Sequence, residues 1–350
     1  MNSQPVNDRI LVVSGGGSTG AWGAGFAKFL TDSFGEYNIA FGTSTGSLMN
    51  PLILLNRFDD LKKAYTTVTQ KKIFNKNPFK KNGDLKWTVV FRILLGKNSF
   101  GESENLKKLI EEFLKVDDYK KIQELKKVFG VAVVDFKTGD LLLKFSNRID
   151  DVAKMREWIW ASSNQPLFMN YFTPKDSSSY YVDGGVRETV PVTAALEYAI
   201  YHHPEIKHID VIINQPKYPI IHRDFKPTSI FKGLVRLTDI WRTEVVDNDV
   251  LIALQAASIH NCHDNDTITI HLNYFPSLLF SDNEKDLLFD PQKMKCLWNA
   301  GIMGQKDPDE DPGENFERPS KITICKEAAR TFFTKRKKLK DRQQELINME

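Results

Sequence analysis

The sequence predicts an α/β protein built on a mostly parallel sheet with helices on both faces. Short apolar runs alternate with stretches of helical periodicity, and glycine clusters follow the first two of those runs directly. Size agrees with this: 350 residues, 41% hydrophobic and 27% charged, can bury a large core without metals or disulfides.

The first strand is expected at Ile10–Val13, ending in Ser14 and three glycines, with a helix from near Ser18 that carries Ala21, Trp22, Phe26 and Leu30. A second strand at Ile39–Phe41 runs into Gly42-Thr43-Ser44-Thr45-Gly46, where another helix starts; Pro51 is read as belonging to its early turn. Residues 59–127 are lysine-rich and helical in pattern, and are expected to form an insertion or cap over the α/β core. Strands are expected again at 128–134 and 141–145, then a helix around 152–161 and a loop from Ser162 to Ser179. The strand-like Tyr180-Tyr181-Val182 leads into Asp183-Gly184-Gly185. A helix over 192–202, a strand at 209–213, a long helix near 229–255 and a strand at 267–272 complete the alternation. Residues 305–319 read as an exposed acidic loop and 326–350 as a charged C-terminal helix, so the main domain is expected over 1–325.

Composition excludes several classes. A net charge of +3 is too small to call for nucleic acid. Cys262, Cys296 and Cys325 are widely spaced and odd in number, which suits a reducing compartment and gives no disulfide framework. The start MNSQPVNDRI is polar and lacks a secretory apolar region, and no apolar run is long enough to span a bilayer. A cytoplasmic protein is expected, with any membrane contact peripheral.

Three motifs carry chemistry. Gly42-Thr43-Ser44-Thr45-Gly46 is a GxSxG sequence between a predicted strand and a predicted helix, the setting of a serine nucleophile held in a tight turn at a helix N-terminus. Gly15, Gly16 and Gly17 follow the first strand and offer free N–H donors; they read either as an oxyanion hole facing Ser44 or as a turn that lets a helix pack on the sheet. Asp183, followed by two glycines, reads either as a fixed carboxylate able to take the Ser44 proton or as an ordinary turn.

In this order, the three motifs resemble the patatin-like phospholipase family over roughly residues 9 to 215, and Ala161-Ser162-Ser163-Asn164-Gln165-Pro166-Leu167-Phe168 is similar to the family's small-residue segment with a proline before the aspartate. The resemblance implies a three-layer α/β/α fold and a Ser44–Asp183 dyad without histidine. It also implies an oxyanion hole from Gly15, Gly16 and Gly17, no metal or cofactor, and a phospholipid or other acyl lipid as substrate. Two positions depart from the family pattern: Thr19 stands where Arg or Lys is frequent, and Thr189 where Asn is common after the aspartate.

Rival readings exist. Gly15–Gly20 also satisfies GxGxxG, but the second strand ends without the carboxylate that a dinucleotide site requires. A Ser–His–Asp triad would recruit His222, His260, His263 or His271, yet the glycine loop follows an earlier strand than that fold uses. A lipid-binding protein without catalysis is a third reading. His260-Asn261-Cys262-His263 lacks a second ligand pair at zinc spacing, and Asp307–Gly313 lacks the closing glutamate of a calcium loop. Lys71–Lys81 mixes cations with Phe74 and Phe79, with Trp87 beyond, and reads either as a surface for anionic lipid or as a solvated cap. The basic run Thr334–Lys340 reads as a solvated helix or a surface-binding one.

Overall fold

A computed structural model describes residues 8–81, 83–175, 177–217, 225–226, 228–261, 267–279 and 287–306. The predicted acidic loop beyond residue 306, the C-terminal helix, Cys262, His222 and His263 lie outside the described residues.

The chain opens with β1 (Arg9–Val13), a 3-10 turn at Gly17–Thr19, α1 (Gly20–Phe34), β2 (Ile39–Thr43) and α2 (Thr45–Leu54). Helices α3 (Phe58–Thr66), α4 (Gln70–Ile73), α5 (Thr88–Leu94), α6 (Glu104–Phe113) and α7 (Val116–Glu124) fill the lysine-rich stretch. Then come β3 (Val128–Asp135), β4 (Leu141–Phe145), α8 (Val152–Ser162), β5 (Tyr181–Asp183), α9 (Val192–His202), β6 (His208–Ile213), α10 (Ile230–Asn261), β7 (Thr269–Tyr274) and α11 (Pro291–Ile302).

The strands make one sheet in the order β4-β3-β2-β1-β6-β7, with β5 paired to β3. Pairing is parallel throughout except for β3 with β4 and β3 with β5. The period-2 alternation of β1 shows why both faces are covered: Leu11 and Val13 join one buried cluster with Trp22, Phe26, Met49 and Trp298, while Ile10 and Val12 join another with Val192, Leu196, Val246 and Val250. The result is a three-layer α/β/α sandwich, with α1, α2, α3 and α11 on the first face and α9 and α10 on the second.

Two features of this sheet position the site. Strand order reverses at β1, which has β2 on one side and β6 on the other, and in open sheets the crevice at the C-terminal ends of such strands is where ligands bind. In addition, β2 stops at Thr43 opposite Ala132, and β5 takes over the same edge of β3, with Asp183 opposite Val133. An incoming antiparallel strand therefore delivers Asp183 to the place where β2 turns into α2.

The structure adds to the sequence reading and corrects it at several points. Helix α11 was not foreseen; it lies so close to α1 that a Cβ on Gly25 would overlap the Trp298 carbonyl, and one on Gly301 the Trp22 carbonyl. Pro51 sits well inside α2 rather than in its early turn. Phe74 and Phe79 are buried, packed edge to face against one another, so they are not available to a surface. The exposed apolar side chains of this region lie instead on and beside α5, where Trp87, Leu94 and Leu95 are 68%, 76% and 73% exposed.

Candidate active site

Ser44 links β2 to α2 with φ 53° and ψ −120°, a left-handed conformation that costs a non-glycine residue about 1–3 kcal/mol. Its neighbours explain why the turn holds. Neither glycine of the motif has room for a side chain: a Cβ on Gly46 would overlap the Val13 carbonyl, and one on Gly42 would press on Gly46 and Asn50. The backbone of Ser44 is also tied down from α8. Its N–H donates to Ser162 Oγ at 3.0 Å, and Ser163 Oγ lies 3.4 Å from its carbonyl oxygen. Ser162 and Ser163 belong to the small-residue segment read in the sequence, but this bracing role was not legible there.

Asp183 is buried, 8% exposed. Its N–H donates to the Asn164 carbonyl at 3.0 Å, and its Oδ1 accepts the Gly185 N–H at 2.7 Å. The Ser44 side chain lies close enough to the same carboxylate to lower its affinity for a proton. Burial pushes the Asp183 carboxyl up to about 6, while the Gly185 N–H, the Ser44 hydroxyl and the charge of Arg242 pull the other way without cancelling the effect. Ser44 and Asp183, 139 positions apart in the chain, thus face one hollow as near neighbours.

The glycine loop closes the third side. Gly15, Gly16 and Gly17 line the same hollow as Ser44 and Asp183. The expectation that all three present free N–H groups is corrected at Gly15, whose N–H donates to the Thr189 carbonyl at 3.1 Å and so joins β1 to the segment after Asp183. Gly16 and Gly17 have no backbone acceptor among the described residues. The two departures from the family pattern have structural employment. Thr19 is buried, its hydroxyl 2.7 Å from the Gly16 carbonyl and 2.8 Å from the Asn214 carbonyl. Thr189, besides holding Gly15, donates its hydroxyl to the Gly185 carbonyl at 3.2 Å.

Asn214, just after β6, was not singled out from sequence. Its N–H donates to Ser14 Oγ at 2.8 Å and its side-chain amide to the Ser14 carbonyl at 3.0 Å, which clamps the base of the glycine loop from the far side of the strand-order reversal. A lone Asn after a strand gives no sequence signal of such a role.

Two hollows meet at Ser44. One is apolar and lined by Leu48, Leu52, Ile110, Phe113, Met169 and Phe289 among others. The second holds Asp183, the glycine loop, Thr189 and the α10 residues Thr238, Trp241 and Arg242. They share Gly17, Ser44, Ser163 and Leu287. No histidine of the described residues lines either one. His271 lies 3.1 Å from His208, both on strands β7 and β6, and His260 sits near the end of α10.

A serine hydroxyl near a buried carboxylate, beside a glycine loop and an apolar cleft, is chemically equipped for nucleophilic attack on an ester of an apolar acid. No curated protein matches the sequence. Among solved structures, that of VipD from Legionella pneumophila is similar, with 12% identity and a TM-score of 0.41, covering 85% of this chain and 68% of that one. The family model for patatin-like phospholipases matches residues 11–196, more than half of the 350 residues and a span that contains both Ser44 and Asp183; the chain therefore belongs to the patatin-like phospholipase family, whose members are lipid acyl hydrolases.

Proposed function

We propose that the protein hydrolyses fatty acyl esters of lipids, with Ser44 as nucleophile and Asp183 as general base. The observation that carries this reading is that the Ser44 side chain and the buried Asp183 carboxylate share one hollow with the glycine loop, while the apolar cleft also opens on Ser44. Asp183 takes the Ser44 proton as Oγ attacks the ester carbonyl carbon. The Gly16 and Gly17 N–H groups and the N-terminus of α2 stabilise the oxyanion. Collapse breaks the bond to the alcohol oxygen, which leaves with the proton from Asp183, and the acyl chain stays on Ser44 in the apolar cleft. Water, losing its proton to Asp183, then attacks the acyl-enzyme, and the fatty acid departs with Ser44 restored. A carboxylate held near 6 by burial is a stronger base than one in water and is still ionised at neutral pH.

The same reading places the enzyme at a lipid surface. Helix α5 turns a side bearing Trp87, Val90, Phe91, Leu94 and Leu95 to solvent. Lys80, Lys81 and Lys97 are exposed close by in sequence, so apolar insertion and attraction to anionic headgroups act together. No helix among the described residues is long and apolar enough to cross a membrane.

Fatty acid release from phospholipid vesicles tests the proposal when wild type is assayed beside Ser44→Ala. Release by wild type, none by the variant, and labelling of wild type alone by a fluorophosphonate are expected. A wild type that is neither labelled nor active would favour a lipid-binding role.

A further inference from the structure

An ester carbonyl placed on Ser44 has two ends, and the fold offers a separate hollow for each. The apolar cleft suits the acyl chain; the alcohol side then enters the second hollow. The lining of that hollow is unlike the first. Among the described residues Arg242 is its one cation, and Thr189, Thr238 and Gln165 add polar side chains. Arg242 comes from α10 and is close enough to Asp183 for its charge to act on that carboxylate. Its guanidinium stands 3.9 Å from the more exposed Asp239 carboxylate, and its side chain is 26% exposed, so it is partly withdrawn from water, where a charge-assisted bond to a bound anion is strengthened. Trp241, half exposed, stands next to it on the rim. The glycine loop supplies no cation of its own: position 19 is a threonine, and its hydroxyl faces the Gly16 and Asn214 carbonyls.

We infer that Arg242 is a specificity residue that binds the phosphodiester of the substrate headgroup on the alcohol side of the scissile ester and so sets the preference for phospholipid over neutral acylglycerol. This rests on the proposed attack by Ser44. A guanidinium matches a phosphate by two parallel N–H bonds, which a lysine ammonium reproduces only in charge.

The test compares full-length wild type, Arg242→Gln and Arg242→Lys on dioleoyl phosphatidylcholine and dioleoylglycerol in the same detergent micelles. The kcat/KM ratio of phospholipid to diacylglycerol is expected to fall about 10- to 100-fold in Arg242→Gln, the range for losing a charge-assisted bond, mainly through KM, with partial rescue in Arg242→Lys. Equal losses on both lipids, or an unchanged ratio, would overturn the assignment. A binding arm separates its failure from failure of the Ser44 reading: in a Ser44→Ala background, dihexanoyl phosphatidylcholine below its micelle concentration is titrated calorimetrically. Weaker binding by about tenfold or more on adding Arg242→Gln supports the headgroup site whatever the catalytic result. Undiminished binding overturns it, and so does complete displacement of the lipid by millimolar inorganic phosphate, which would mark a site for the free anion.

Discussion

Asp210 and Asp183 are both buried carboxylates, 1% and 8% exposed, but they meet different surroundings. Asp210, in the middle of β6, receives two bonds from the Arg9 guanidinium, at 2.6 and 2.7 Å, and a third from the Tyr37 hydroxyl at 2.8 Å. Its charge is met by a full opposite charge at contact distance, and that bond in turn holds the Arg9 proton more tightly. Asp183 receives one neutral N–H, from Gly185, with the Ser44 hydroxyl and the Arg242 charge acting from nearby. Burying an ion is tolerable when a partner and its hydrogen bonds replace water. Where replacement is complete, the group is structural. Where it is incomplete, the carboxyl keeps a raised affinity for protons, which is the property a general base needs.

The largest effect should come from breaking the compensated site. Asp210→Asn leaves Arg9 and Tyr37 around a neutral side chain and should destabilise the fold by about 3–5 kcal/mol, read by urea denaturation. A loss under about 1 kcal/mol would mean the pair contributes little. Next comes the turn that presents Ser44: Gly46→Ala drives a methyl into the Val13 carbonyl and should cost about 1–3 kcal/mol together with most of the activity.

Asp183→Asn should act with the opposite sign on stability. A folded-state pKa of about 6, above the unfolded carboxyl's 3.8, means that Asp183 favours the native state most below pH about 4. That contribution is lost as pH rises through about 6, so the ionised wild type carries a penalty at pH 8 that the amide does not. The variant should be more stable than wild type at pH 8, by up to about 3 kcal/mol, with the advantage vanishing by pH 4. An Asp183→Asn protein less stable at pH 8 than at pH 4, relative to wild type, would refute the assigned shift. The same pKa predicts an acid limb in kcat/KM with its midpoint near 6, since only the ionised form accepts the Ser44 proton.

The smallest effect lies away from both carboxylates. Trp87→Ser with Leu94→Ser on α5 should change stability by no more than about 0.5 kcal/mol per site, because these side chains are already in water. Vesicle binding, measured by flotation with anionic lipid, should nevertheless fall, and unchanged flotation would remove α5 from the membrane surface.

The parts legible in the sequence are those enforced by local sterics. Gly42, Gly46 and the Gly15–Gly17 run are required by close backbone approach, so composition alone marks them. The meeting of Ser44 with Asp183 depends on β5 taking the edge of β3 that β2 leaves, a non-local pairing with no local signature. Helix α11 did carry a usable signal in Asp290, whose side chain accepts the Gln292 N–H, followed by Pro291 at the first helical position. Phe74 and Phe79 misled because their flanking lysines resemble a surface pattern, whereas the two rings pack inward and the cations reach out between them. Arg242 could not be distinguished from the other charges of a 32-residue helix until the hollow it lines was seen.

The central claim, that the uncompensated aspartate does the chemistry while the compensated one holds the fold, is tested most directly by one assay. Fatty acid release from phospholipid vesicles at pH 8 is measured for wild type, Asp183→Asn and Asp210→Asn, at a temperature where circular dichroism shows all three folded. The account predicts a fall of about 10³-fold or more for Asp183→Asn, and a rate per folded molecule close to wild type for Asp210→Asn. Substantial activity in Asp183→Asn, or equal inactivation of both, would contradict it.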